Sequence, residues 1–145
     1  MKMKRIVKRI IYTILTLSVL SIYAYGGSVA LSEVPDEAIA FADKYFSDYY
    51  LYRATELGGS YTLIFKGGLK IFVNSYGEWR SVSGGGEEIP IAYIEDKVKN
   101  SIKKEFPDEK VVNIQKNRKD YSIEFKSRRK IVVDFEGNIT KKWRD

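Results

Sequence analysis

The sequence predicts an α+β fold made of two copies of one unit, each a helix followed by a four-stranded antiparallel sheet. Three observations carry this. The stretch Tyr61 to Gly77, YTLIFKGGLKIFVNSYG, returns sixty positions later as Tyr121 to Gly137, YSIEFKSRRKIVVDFEG, with seven of seventeen positions identical and no gap. Phe46 pairs with Phe106 and Asp48 with Asp108 at the same offset. Apolar residues recur at three and four positions before each stretch and alternate within it, as a helix leading into strands would require.

The N-terminus reads as an export signal. Met1 to Arg9 holds five basic residues and no acid, and Ile10 to Tyr25 is an apolar and small-residue run. A positive n-region followed by an apolar h-region is the pattern of a secretory signal. The run falls short of the ~20 residues that span a bilayer. Ala24-Tyr25-Gly26 and Ser28-Val29-Ala30 both fit an A-x-A-like processing site. We therefore take 1–30 as the leader, with cleavage after Gly26 or Ala30, and expect a periplasmic or secreted product. Membrane attachment would arise only from an uncleaved leader.

Removing those residues changes the charge argument. The chain carries 25 Lys and Arg against 19 Asp and Glu; without the five leader charges the balance is close to neutral. A basic pI therefore reflects targeting, and nucleic acid, which is bound by clustered Lys and Arg on phosphates, is not an expected partner. With no cysteine, stability rests on packing.

The first unit, 31–88, opens at Val34-Pro35-Asp36-Glu37, where Pro and two acids suit a helix start. Ala38, Ile39, Phe41, Ala42, Tyr45 and Phe46 then form one apolar stripe. Tyr49 to Glu56 is an aromatic-rich strand, and alternation does not decide whether Tyr50 and Tyr52, or Tyr49 and Leu51, face the helix. On the following hairpin the inward set is Tyr61, Leu63, Phe65, Ile71 and Val73, leaving Ile64 and Phe72 on the other face. Gly67-Gly68 supplies the tight turn. Trp79 lies on a short fourth strand after the turn at Asn74 to Gly77.

Ser83 to Glu88, with Gly84 to Gly86 at its centre, reads as the joint between the two units, and the sequence is silent on motion about it. In the second unit, 89–145, Ile89-Pro90 stands where Val34-Pro35 stood, and a helix about five residues longer runs through Ile91, Ile94, Val98, Ile102 and Phe106. Strands follow at Lys110 to Lys116, Asp120 to Lys126, Lys130 to Phe135 and Asn138 to Trp143. Both units belong to one compact domain. One helix cannot cover both faces of four strands, so one face should be open.

The Val-Pro or Ile-Pro start, the helix ending in Phe46 or Phe106, the Tyr-x-Leu/Ile-x-Phe strand and the hairpin running into Gly77-Glu78-Trp79 or Glu136-Gly137-Asn138 resemble the exported PepSY-like, beta-lactamase-inhibitor-like proteins common in Bacteroides and relatives. The resemblance covers Val34 to Trp143. It implies two sheets joined into one broad antiparallel sheet with both helices on one face, the other free to grip a protein as in that inhibitor. It does not carry inhibition over, because no inhibitory loop is matched.

No catalytic, cofactor or metal site is expected. Without His or Cys, histidine-based and thiol nucleophile pairs are unavailable. Asp134 to Asn138 has the alternating oxygen donors of a calcium loop's start but not its final acidic ligand; a glycine hairpin turn explains the run. The expected function is a non-catalytic exported module that binds an unidentified envelope or secreted protein, as an inhibitor or regulator of an envelope enzyme. The candidate face carries Tyr50, Tyr52, Ile64, Phe72 and Trp79, since Tyr and Trp anchor interfaces well. The alternative is an envelope sensor or binder of a small or polymeric ligand such as glycan or peptidoglycan, with Trp79 and its tyrosine neighbours as stacking platforms.

Overall fold

A computed structural model describes residues 26–144; Met1 to Tyr25, the bulk of the expected leader, lie outside them. Nine strands follow one another as a single antiparallel meander in the order of the chain. They are β1 (Gly27–Val29), β2 (Leu51–Leu57), β3 (Ser60–Phe65), β4 (Lys70–Val73), β5 (Trp79–Ser83), β6 (Val111–Lys116), β7 (Asp120–Phe125), β8 (Arg129–Asp134) and β9 (Ile139–Arg144). Two ten-residue helices, α1 (Asp36–Tyr45) and α2 (Asp96–Glu105), interrupt the meander.

This corrects the expected tandem of helix plus four-stranded sheet. The chain is mostly β, and no half owns a sheet, because β5 pairs directly with β6 through Ser81↔Gln115, Val82↔Ile114 and Ser83↔Asn113. Strand β1 belongs to no such unit: Gly27, Ser28 and Val29 pair with Glu56, Thr55 and Ala54. The sixty-residue spacing survives as matched core positions within this one sheet. Ala38 and Val98, Ala42 and Ile102, Phe46 and Phe106, Leu63 and Ile123, Phe65 and Phe125, Ile71 and Ile131 are all buried.

One further expectation changes. The second helix is no longer than the first, because residues 89–95 form a connector in which Ile94 N–H donates to Ile91 O (3.3 Å) and α2 starts only after Glu95. Ile91 and Ile94 merely continue its spacing. The glycine joint is tied down: Gly84 N–H donates to Val112 O (2.8 Å), and Glu87 N–H closes back on Gly84 O (3.3 Å). A Cβ at Gly84 would lie 2.0 Å from Glu87 O, so only glycine permits this turn.

Both helices press on the same side. Alternate residues of β3, β4, β7 and β8 turn toward them, and among the described residues the buried set is wholly apolar. Phe41 of α1 stacks on Trp79 of β5 (5.9 Å between centroids, 12° between planes), and Trp79 stacks in turn on Tyr121 of β7 (5.9 Å, 7°). Tyr93, on the connector, meets Phe41, Phe46 and Trp79 at 5.0 to 5.5 Å. This aromatic hub locks α1, the connector and the middle of the sheet together, each ring pair adding roughly 0.5–1.5 kcal/mol beyond area burial.

Candidate functional site

The face away from the helices is read strand by strand from the pairing register, because directly opposed residues share a face. One transverse row runs Arg53, Ile64, Lys70, Ser83, Asn113, Glu124, Lys130 and Trp143. A parallel row runs Ser28, Thr55, Thr62, Phe72, Ser81, Gln115, Ser122, Val132 and Lys141. Both rows cross all of β2 to β9 without interruption. Small hydroxyl side chains, Ser81 and Ser83, occupy the centre, so no bulky group divides the face.

Its two halves differ in chemistry. On the β2–β4 side Ile64 and Phe72 are flanked by Arg53 and Lys70, and the Phe72 ring is 40% exposed. On the β6–β9 side the surface is amide, hydroxyl and charge, ending in Trp143, which is 42% exposed. A hollow of about 180 Å³ there is lined by Asn113, Gln115, Ser122, Glu124, Lys130 and Trp143, among others. Asn113 Oδ1 lacks a hydrogen-bond partner.

Of the residues singled out in the sequence, Ile64 and Phe72 lie on this face. Tyr50 and Tyr52 are exposed (64% and 51%), whereas Tyr49 and Leu51 pack against the core, which resolves the ambiguity of the first strand. Tyr52 is the extra residue of a β-bulge between Leu51↔Phe65 and Arg53↔Ile64. Tyr50 sits just before β2, its ring under the Lys66 ammonium (4.8 Å) and its carbonyl accepting Lys66 N–H (2.9 Å). Trp79 is elsewhere: it lies on the helix side in the aromatic hub, with Lys116 Nζ over its ring at 5.3 Å. Trp143 is the tryptophan that the open face presents.

The calcium-like run is an Asx turn. Asp134 Oδ1 accepts N–H from Glu136 (3.0 Å) and Asn138 (2.9 Å), and Oδ2 accepts Asn138 Nδ2 (3.0 Å). These bonds, from Asn138 first, hold the Asp134 carboxyl below its ordinary range. Glu136 is engaged by Lys97, whose ammonium is stabilised by that bond and charge. Asn74 builds the same turn sixty residues earlier, its Oδ1 accepting from Tyr76 (3.0 Å) and Glu78 (2.9 Å). Among the described residues, no three Asp, Glu, His or Cys side chains gather in a metal-holding group.

The chain is thus a long antiparallel meander with two helices on one face and an uninterrupted uncovered face on the other. The chain belongs to the family described as "Putative beta-lactamase-inhibitor-like, PepSY-like", whose model matches residues 59–141. Similar solved structures include a "putative calcium-regulated periplasmic protein" of Bacteroides thetaiotaomicron (25% identity, TM-score 0.73, covering 81% of this chain and 95% of that one). Two periplasmic proteins of Bacteroides vulgatus share the fold at 22% identity. One, of the DUF2874 family, has a TM-score of 0.75 over 83% of this chain and 98% of its own; the other has 0.71 over 81% and 99%. These neighbours are periplasmic, in agreement with the export and periplasmic location read from the N-terminal stretch. Comparison with curated proteins gives no match.

Proposed function

We propose that this chain is a non-catalytic periplasmic module that binds an envelope protein across its open sheet face, and that it restrains an envelope enzyme by doing so. The observation that supports this reading is the continuity of that face over β2 to β9, with Ile64 and Phe72 on one half and Trp143 at the far edge. Apolar rings framed by charges are the surface that protein interfaces favour at their anchors. The family's inhibitor-like description is consistent with a gripping face. Ile64 and Phe72 on the β2–β4 half and Trp143 at the β9 edge supply the apolar anchors, and the rest of the β6–β9 half supplies the polar and charged contacts.

The test is quantitative capture from envelope extract with the wild-type chain and with a Phe72→Ala, Trp143→Ala variant that still folds. Losing two anchors should cut recovery of the specific partner at least ~10-fold, the equivalent of about 1.4 kcal/mol. Equal recovery of the same proteins by both forms would eliminate the open face as the binding surface.

A second reading is supported by the hollow beside Trp143. An indole lining the same hollow as Asn113, Gln115, Ser122 and Glu124 combines a stacking surface with hydrogen-bonding groups, as a sugar ring would need. Quenching of Trp143 fluorescence by peptidoglycan fragments, lost in Trp143→Phe, would favour this ligand-binding role over a protein partner.

A further inference from the structure

We infer that the exported chain is cut between Gly26 and Gly27, so that the mature protein keeps strand β1 and begins at its first residue. The inference rests on the export reading and goes beyond it, because the sequence offers two processing sites with equal claim. Ala24 and Gly26 place small residues at the third and first positions before one bond; Ser28 and Ala30 do so before the other.

The fold separates them. Gly27, Ser28 and Val29 are hydrogen-bonded neighbours of Glu56, Thr55 and Ala54, and Val29 packs against the core. Ala30 anchors the segment on its other side: its N–H donates to Glu33 Oε2 (2.8 Å), and its carbonyl accepts Glu33 N–H (2.9 Å). A cut after Ala30 would discard all of β1 and, with Ala30, both bonds of that clasp. It would also uncover Ala54, Thr55 and Glu56, the three residues of the seven-residue β2 that β1 pairs with, and make β2 the sheet edge along its whole length. An unprotected strand of this kind pairs with other chains, and very short edge strands are one way that proteins avoid it. A cut after Gly26 removes nothing from the ladder. Processing acts on the unfolded chain during export, so the fold does not shield the second site; it determines which product is complete.

The chemistry is hydrolysis of one peptide bond by the exporting cell's signal peptidase. Water adds across the Gly26–Gly27 amide, leaving a carboxylate on Gly26 and an ammonium on Gly27.

The full chain is expressed in a bacterium with a periplasm, and the exported product is read by N-terminal sequencing and intact mass. The expected first residue is Gly27. A product beginning at Leu31 overturns this inference and leaves the export reading standing, whereas a product retaining Met1 overturns both. Two variants check the assignment without depending on folding, since the readout is the terminus alone. Ala24→Lys should abolish the Gly27 product. Ser28→Lys, which alters an exposed residue of β1, should leave Gly27 as the terminus; if Ser28→Lys stops processing while Ala24→Lys does not, the second site is the one used and the inference fails.

Discussion

Replacing Tyr93 with Phe should stabilise the protein, although it removes a polar atom from a tyrosine-rich hub. The Tyr93 ring is surrounded by Phe41, Tyr45, Phe46 and Trp79 at 5.0 to 5.7 Å, and its hydroxyl is buried with no hydrogen-bond partner. A buried, unpaired hydroxyl costs about 1–3 kcal/mol, and its deletion gives up only the packing of one oxygen. A net gain of roughly 1 kcal/mol follows, which in a domain of this size raises Tm by about 4 °C. Tyr121→Phe is the control, because its hydroxyl is bonded to Glu95 and its loss should cost about 1 kcal/mol. The alkaline limb carries the same signature. Burial first, then the neighbouring Tyr121 and Tyr49, push the Tyr93 phenol well above its ordinary 10.0. A raised folded-state pKa contributes stability that is complete below pH 10 and is lost as pH rises beyond it, when the unfolded chain ionises first. Tyr93→Phe should therefore flatten the fall in stability above pH 10. Urea and thermal unfolding at pH 7 and pH 10.5 measure both effects. A midpoint lowered as much as in Tyr121→Phe would mean that the hydroxyl is satisfied, and the account of the hub would be refuted.

Trp79→Ala should cost about 2–4 kcal/mol in urea unfolding, as expected for a half-buried aromatic packed against the core, while Trp143→Ala should stay within ~1 kcal/mol of wild type. Gly137→Ala should lose roughly 2–4 kcal/mol, since φ is +90° and the new Cβ would lie 2.6 Å from Lys97 O; Gly67→Ala, at φ +87° with open space around it, should lose only about 1 kcal/mol. Asp134→Asn should remove part of the acid sensitivity seen in acid unfolding curves. Its carboxylate's depressed folded-state pKa supplies stability that is complete above the ordinary Asp value of 3.8 and lost as pH falls below it, and an amide keeps the Oδ1 acceptor but cannot titrate.

The hairpin residues were legible because nothing disturbs their parity. Leu63, Phe65, Ile71 and Val73 are buried while Ile64 and Phe72 face away, as strict alternation requires. Trp79 was misread because Arg80 is a bulge. Phe72 pairs with Ser81 but Val73 pairs with Trp79, so one extra residue turns the indole inward. The same irregularity at Thr140, between Val132↔Lys141 and Val133↔Ile139, hides Trp143 from a reading that starts at Ile139. Bulged residues carry no compositional mark here, since Tyr52, Arg80, Val112 and Thr140 have nothing in common beyond their sixty-residue spacing. Strand β1 was hidden for another reason. Its small residues satisfy a peptidase and a short edge strand equally well.

The matched bulges also repeat within the one continuous sheet. A bulge bends its strand and strengthens the local twist, and the pairs at Tyr52 and Val112, and at Arg80 and Thr140, recur at equal intervals along a ladder that runs through β5 and β6 unbroken. The core can therefore tolerate duplicated positions, because each helix meets an equivalent stretch of strands: Gly77 lets α1 approach as Gly137 lets α2. No such constraint acts on the uncovered side. There Ile64 faces Glu124 across the sixty-residue spacing, Phe72 faces Val132, and Lys70 alone meets its like in Lys130. Buried positions are alike between the two stretches while most exposed ones differ in size or charge, as expected where close packing constrains only the first set.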